Sequence, residues 1–204
     1  MDEQQFRKEE ETELSKQKEP WEDDGKKRSV SADLFDWAEA LVYALAVLVV
    51  ICAFFVRLSG VEGSSMYPTL HEGDQLLISS FGYDEPERGD IVVLMADGFM
   101  DEPLVKRVIA LEGQTVDIDY DAGTVAVDGQ VLDEPYILEE MLWPSSSHMQ
   151  ETHFEVPEDS IFVMGDNRNG STDSRHEWLG AIDEDYILGQ AVAVLWPLGR
   201  IGLL

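Results

Sequence analysis

The rhythm of apolar positions along this chain changes twice. Up to residue 36 there is almost no apolar periodicity. Between Ala40 and Val56 apolar residues are unbroken, as ALVYALAVLVVICAFFV, 17 residues without a charge. At about 1.5 Å per residue this is close to the shortest helix that spans a hydrocarbon core of roughly 30 Å. Trp37 and Tyr43 sit near one end of it, where interfacial aromatics belong. The run therefore predicts one transmembrane helix, with residues 37–58 as the anchor. A buried core helix would not be apolar on every face in a chain this small. A cleaved signal peptide would not follow so long a leading segment.

From residue 74 the pattern is of short apolar runs divided by turn residues. QLLIS (75–79), DIVVLM (90–95), LVKRVIAL (104–111), TVDIDY (115–120), TVAV (124–127), HFEVP (153–157), SIFVMGD (160–166) and YILGQAVAVLWP (186–197) read as strands. Asp128-Gly129 marks a two-residue hairpin. Only Pro135–Leu142 suggests a helical turn, and 140–152 reads as a loop. The expected fold of the region after the anchor is all-β.

Charge divides the chain in the same way. The 204 residues carry a net charge of −28, which excludes a basic nucleic-acid-binding surface. Residues 1–36 hold 7 basic and 12 acidic side chains and too little apolar surface to offset ordering entropy, so they read as a disordered charged tail. Lys26, Lys27 and Arg28 precede the apolar run while Arg57 alone follows closely. The positive-inside rule then places the N-terminus in the cytoplasm and residues 59–204 outside. In that outer region 29 acidic side chains stand against 6 basic ones, a solvated surface that keeps it soluble. One cysteine, Cys52, excludes an internal disulfide and a multi-cysteine zinc site.

Phosphate-binding loops, H-E-x-x-H and C-x-x-C motifs are missing. His71 and His176 are each followed by glutamate without a further spaced ligand, and His148 with His153 makes only a two-ligand set, so no metal site is expected. Three segments stand out. Gly63-Ser64-Ser65-Met66-Tyr67-Pro68 can hold a serine in a defined pose, because Pro68 constrains Tyr67; it also suits an ordinary junction. Lys106-Arg107 places two adjacent cations on a strand, one of them toward the more buried face. Lys106 is the single lysine of residues 57–204. A buried lysine loses its proton readily and can act as a base, which an arginine cannot; a surface lysine on a strand is the plain alternative. Gly165 to Arg175 is a polar loop after a strand, in which Asp173 and Arg175 can face each other as an ion pair.

Together these segments resemble the type I signal peptidases, the S26 peptidases with a Ser-Lys dyad, and among them the short single-anchor Gram-positive type. Ser65-Met66-Tyr67-Pro68-Thr69-Leu70 resembles the nucleophile box, Gly89-Asp90-Ile91-Val92 the next, Lys106-Arg107-Val108-Ile109-Ala110 with Gly113 the general-base box, and Gly165 to Arg175 the last. The matched region runs from about residue 37 to 203. The resemblance implies an antiparallel two-sheet catalytic domain with a small β insertion, about residues 113–160. It implies a serine endopeptidase that removes signal peptides from exported precursors after small, A-x-A-like residues, without a cofactor, at the cell membrane and in contact with its lipid. Ser65 would be the nucleophile and Lys106 the general base. Ser171 would orient the Lys106 amine, Asp173 and Arg175 would support the Ser171 loop, and Met66 and Gly63 flank the nucleophile. Gly63 stands where some members carry an oxyanion-binding hydroxyl, leaving that task to backbone groups such as the Ser65 N–H.

Three other functions compete. A self-cleaving Ser-Lys repressor would need a DNA-binding domain, which the charge opposes. A membrane-tethered binding module has no use for one lysine in an otherwise lysine-free domain. A hydrolase pairing Ser65 with His71 or His176 would depend on a histidine instead of Lys106.

Overall fold

A computed structural model of the chain describes residues 30–80, 83, 85–95 and 102–204, with the side chains of 30–32 and 51–56 left out. The expected tail falls largely in residues 1–29, outside the described ones. The chain divides into two units, Met1–Val47 and Leu48–Leu204.

Helix α1 spans Val30–Phe55, so residues 30–36, expected in the tail, are helical, and the helix stops short of residue 58. Its apolar side chains from Leu34 to Val50 include many that are exposed, Trp37 and Tyr43 among them. Among the described residues no helix is long and apolar enough to cross a membrane. The apolar run itself continues into 51–56, where side chains are not described.

The second unit is built of antiparallel strands. They are β1 (Val56–Gly60), β2 (Gln75–Ser79), β3 (Ile91–Leu94), β4 (Leu104–Ala110), β5 (Thr115–Asp119), β6 (Thr124–Val127), β7 (Gln130–Val131), β8 (His153–Glu155), β9 (Ser160–Met164), β10 (Ile182–Asp183), β11 (Ile187–Trp196) and β12 (Gly202–Leu203). The larger sheet has the order β1-β2-β11-β3-β4-β9-β10, with β12 added to β11; the smaller has the order β7-β6-β5-β8. The all-β expectation holds for this unit.

Burial follows the sequence pattern. The continuous apolar runs of β3 and β9 are buried at every position, because both faces of the larger sheet are covered there. Successive side chains of β3 alternate between two cores. Ile91 and Val93 join Val61, Met66, Leu70, Leu76 and Ile78. Val92 and Leu94 join Val108, Ile161 and Val163. In β5 the alternation of TVDID leaves one face wet, and Val116 and Ile118 turn inward against Phe162 and Met164. The β6–β7 hairpin turns on Asp128 (φ 52°) and Gly129 (φ 75°), the left-handed pair that a two-residue loop requires.

The structure also adds elements that the pattern did not suggest. Val56–Leu58, expected in the anchor, are the first residues of β1, which pairs with β2 through five registered positions from Val56↔Ser79 to Gly60↔Gln75. The 140–152 loop contains a single short 3-10 turn at Ser147–Met149.

Candidate active site

Lys106 lies in β4, opposite Val92 of β3, with β9 on the far side of the strand. Such an interior position leaves a side chain little room to reach water, and Lys106 is 2% exposed. Its Nζ donates to Ser65 Oγ at 2.8 Å and to the Val105 carbonyl at 3.0 Å. Burial penalises the ammonium and pulls the Lys106 pKa from its ordinary 10.5 down to about 8; Asp173 and Asp166 oppose the shift, and Arg175 adds to it.

Arg107, the next residue, is also largely buried but keeps its charge. Its Nε and Nη2 donate to the two oxygens of Asp166 at 2.8 and 2.7 Å, and its Nη1 donates to the Gly89 carbonyl at 2.8 Å. The guanidinium sits 4.1 Å from the centre of the Tyr136 ring. Both adjacent cations are therefore taken in, one by a carboxylate and one by a hydroxyl.

Ser65 is placed by two contributions. Met66 and Leu70 beneath it are fully buried in the core under β2 and β3. From the other side, Asn167 donates its N–H to the Ser65 carbonyl at 3.0 Å and its side-chain amide to the Ser64 carbonyl at 3.1 Å. Thr69 donates its hydroxyl to Asp166 in a very short contact. The Ser65 N–H has no hydrogen-bond partner among the described residues. Gly63 is exposed, and a Cβ built on it would meet nothing within 4 Å. A cleft of about 270 Å³ opens beside the pair, lined by Ser59–Glu62, Ser65, Met66 and Glu102–Lys106. Serine hydroxyl, neutralisable amine and free backbone N–H around one cleft are the parts of a covalent acyl-transfer site.

The loop after β9 is knitted by charge. Arg175 Nε and Nη2 donate to Asp173 Oδ1 and Oδ2, each at 2.8 Å, and Asp173 also accepts from the Gly165 N–H at 3.0 Å. Burial alone would raise the Asp173 pKa, but the Arg175 charge and these hydrogen bonds bring it below the usual carboxylate value. Arg168 is likewise held by Glu134 and the Gly165 carbonyl. The ion pair that residue spacing suggested between Asp173 and Arg175 is present.

The family comparison completes these observations. The description "Signal peptidase, peptidase S26" matches residues 34–196. The chain belongs to the S26 signal peptidase family. It is accordingly a peptidase, hence a hydrolase. "Signal peptidase I" of Bacillus licheniformis is 37% identical over 174 residues, 82% of this chain and 91% of that one. "Signal peptidase I S" of Bacillus subtilis is 35% identical over 180 residues, covering 85% and 95%. "Probable signal peptidase I-1" of Synechocystis is 38% identical over 173 residues, covering 80% and 83%. A crystal structure of a signal peptidase I from Enterococcus faecalis aligns with TM-score 0.42 and 28% identity over 52% of this chain and 96% of that one.

Among the expected site residues of this peptidase, one departs from its expected contact. Ser171 Oγ is buried and makes no close hydrogen bond, although it helps to hold the Asp173 carboxylate ionised, and Lys106 Nζ bonds Ser65 and Val105 rather than Ser171. Ser171 is nonetheless close. A Cβ on Gly165 would lie 2.3 Å from Ser171 Oγ and 2.4 Å from the Ser65 carbonyl, so only the absent side chain of Gly165 lets the two segments meet. Asn167, Asp166 and Arg107, which were not singled out for the site, hold it together. Their signal was the loop motif itself, whose local sequence does not say which distant carbonyl an amide will reach. Neither His71 nor His176 bonds Ser65: His71 Nε2 lies 3.4 Å from Arg200 Nη1, and the His176 ring packs against those of His148 and Trp178.

Proposed function

We propose that the chain is a membrane-anchored serine endopeptidase that removes N-terminal signal peptides from exported precursors, cutting after small A-x-A-like residues. The observation that carries this reading is the 2.8 Å hydrogen bond from Lys106 Nζ to Ser65 Oγ inside a nearly dry site. Neutral Lys106 takes the Ser65 hydroxyl proton as Oγ adds to the scissile carbonyl. The resulting ammonium gives that proton to the leaving amine as the C–N bond breaks. The acyl group then rests on Ser65 until water, deprotonated by Lys106, releases it. The Ser65 N–H faces the developing oxyanion. An extended substrate lies in the cleft beside β1, which stands at the edge of its sheet, and its small side chains enter between Val61, Met66 and Leu104. Ser171, Asp173 and Arg175 act as positioning residues behind the dyad.

The same reading gives the chain a cytoplasmic tail before α1, an anchor in the apolar part of α1 (37–55) and an extracytoplasmic peptidase domain from β1 onward, with β5–β8 as an insertion within about 113–160. The unbroken apolar run and the basic cluster before it support this order.

The test is cleavage of a purified precursor in detergent by wild type, Ser65→Ala, Lys106→Ala and Lys106→Arg, with the cut read by mass spectrometry. All three variants are expected to lose at least about 10³-fold in kcat/KM, and wild-type kcat/KM is expected to rise through pH 8 as Lys106 deprotonates. An active Lys106→Arg enzyme removes the dyad, and cleavage unchanged in every variant removes the peptidase assignment to Ser65.

A further inference from the structure

The mechanism above uses only one of two hollows, the one that Ser65 itself lines. The second, of about 340 Å³, lies between residues 142–149 and the loop after β9. Leu142, Trp143 and Met149 line one side of it, and Ser171 and Arg175 the other. Three features mark it as a binding site continuous with the dyad. The Ser171 hydroxyl, which lines it, is buried and makes no close hydrogen bond; its polar neighbour is the Asp173 carboxylate, which it helps to hold ionised. Gly165 alone separates that hydroxyl from the Ser65 carbonyl, as the 2.3 and 2.4 Å approaches to an added Cβ show. Its mouth is apolar yet fixed: Trp143 is 56% exposed, but its Nε1 donates to Asp121 at 2.8 Å and its ring lies 4.9 Å from Tyr120. An exposed indole held in one pose is a preformed wall, and preformed walls bind without a large ordering cost.

We propose that this hollow is the subsite for the chain beyond the scissile bond. It receives one bulky apolar side chain from the first three residues of the mature protein. The proposal rests on Ser65 being the nucleophile. Residues before the cut occupy the cleft beside β1, which leaves the far side of Gly165 to the other half of the substrate. An extended chain advances about 3.3 Å per residue, so three residues cover about 10 Å. Arg168 and Arg175, whose charges Glu134 and Asp173 already compensate, leave the floor without a net charge to attract an ion.

The experiment compares precursors carrying Gly, Ala, Leu or Phe at each of the first three positions after the cut, cleaved by the full-length enzyme in detergent. At one position Leu and Phe are expected to raise kcat/KM about tenfold over Gly, as burial of one large side chain in a partly open site should. Trp143→Ala and Leu142→Ala bring that Leu-to-Gly ratio toward one, whatever happens to the absolute rates. Leu142 is 64% exposed, so its truncation tests the wall without disturbing a core. A wild-type ratio of one at all three positions overturns the subsite, as does a ratio that both alanine variants leave intact. Cleavage of the Gly series that survives Ser65→Ala overturns the nucleophile and the subsite with it; Ser65-dependent cleavage indifferent to these positions removes the subsite alone.

Discussion

Two neighbouring parts of the peptidase domain bury cations in opposite ways. In the loop after β9, Arg168 and Arg175 are each 2% exposed, and each faces a carboxylate with further acceptors around it. At the dyad, Lys106 is as deeply buried, but its partners are a hydroxyl and a carbonyl. The difference lies in what pays for desolvation. Burial by itself would lower the affinity of Arg175 for its proton, yet Asp173 more than reverses this; the same burial leaves Lys106 easier to deprotonate, at about 8. One loop thus uses charge as structure, and one strand holds a lysine that gives its charge up readily. The choice of residue follows: arginine where the charge must persist, lysine where it must come and go.

The comparison can be broken most severely at the ion pair. Arg175→Met leaves the Asp173 carboxylate buried and uncompensated, and urea unfolding is expected to show a loss of about 3–5 kcal/mol. A loss below 1 kcal/mol would mean that Asp173 finds other partners and that the loop does not depend on the pair.

The lysine side of the comparison is sharpened by pH. Between about 8 and 10.5 the unfolded chain holds the Lys106 proton while the folded chain has released it. Stability therefore rises with pH across that window, by on the order of 3 kcal/mol from this group. Below pH 8 both states are protonated, and the folded one carries the cost of a buried ammonium. Lys106→Met should abolish the rise in a series of urea titrations from pH 7 to 10.5; a rise that persists in the variant would assign it to other groups.

The smallest effect is expected where a cation is paired in water. His153 Nδ1 lies 2.6 Å from Asp117 Oδ1, with both side chains at least half exposed. Solvent already serves both groups there, so Asp117→Asn should leave the thermal midpoint at pH 6 unchanged within error. A clear drop would show that pairing matters in this protein even without burial.

Much of the sheet could be read from the sequence, because its strands are local patterns. The runs 75–79 and 124–127 coincide with β2 and β6, and the other strand runs overlap their elements to within a few residues. What escaped was short or took its identity from distant partners. β10 and β12 have two residues each, and β1 is a strand because β2 lies beside it, not because VRLSG alternates. The site shows the same division. Lys106 stood out by composition, as a single lysine, and Asp173 with Arg175 by spacing. Ser65 and Lys106 lie 41 residues apart, and only the resemblance joined them before the structure did. The grip of Asn167 on Ser64 and Ser65 crosses about a hundred residues and has no local signature.

The position of β11 has a consequence for the moment at which the enzyme comes into being. This strand, near the end of the chain, lies between β2 and β3 and pairs with both. Until residues 187–196 have been made and delivered, the half of the sheet beneath Ser65 and the half bearing Lys106 have no strand to join them. A nascent chain emerging in order from its N-terminus therefore carries both Ser65 and Lys106 long before it can align them. The last long strand acts as a keystone, and a chain cut short before it cannot close the larger sheet.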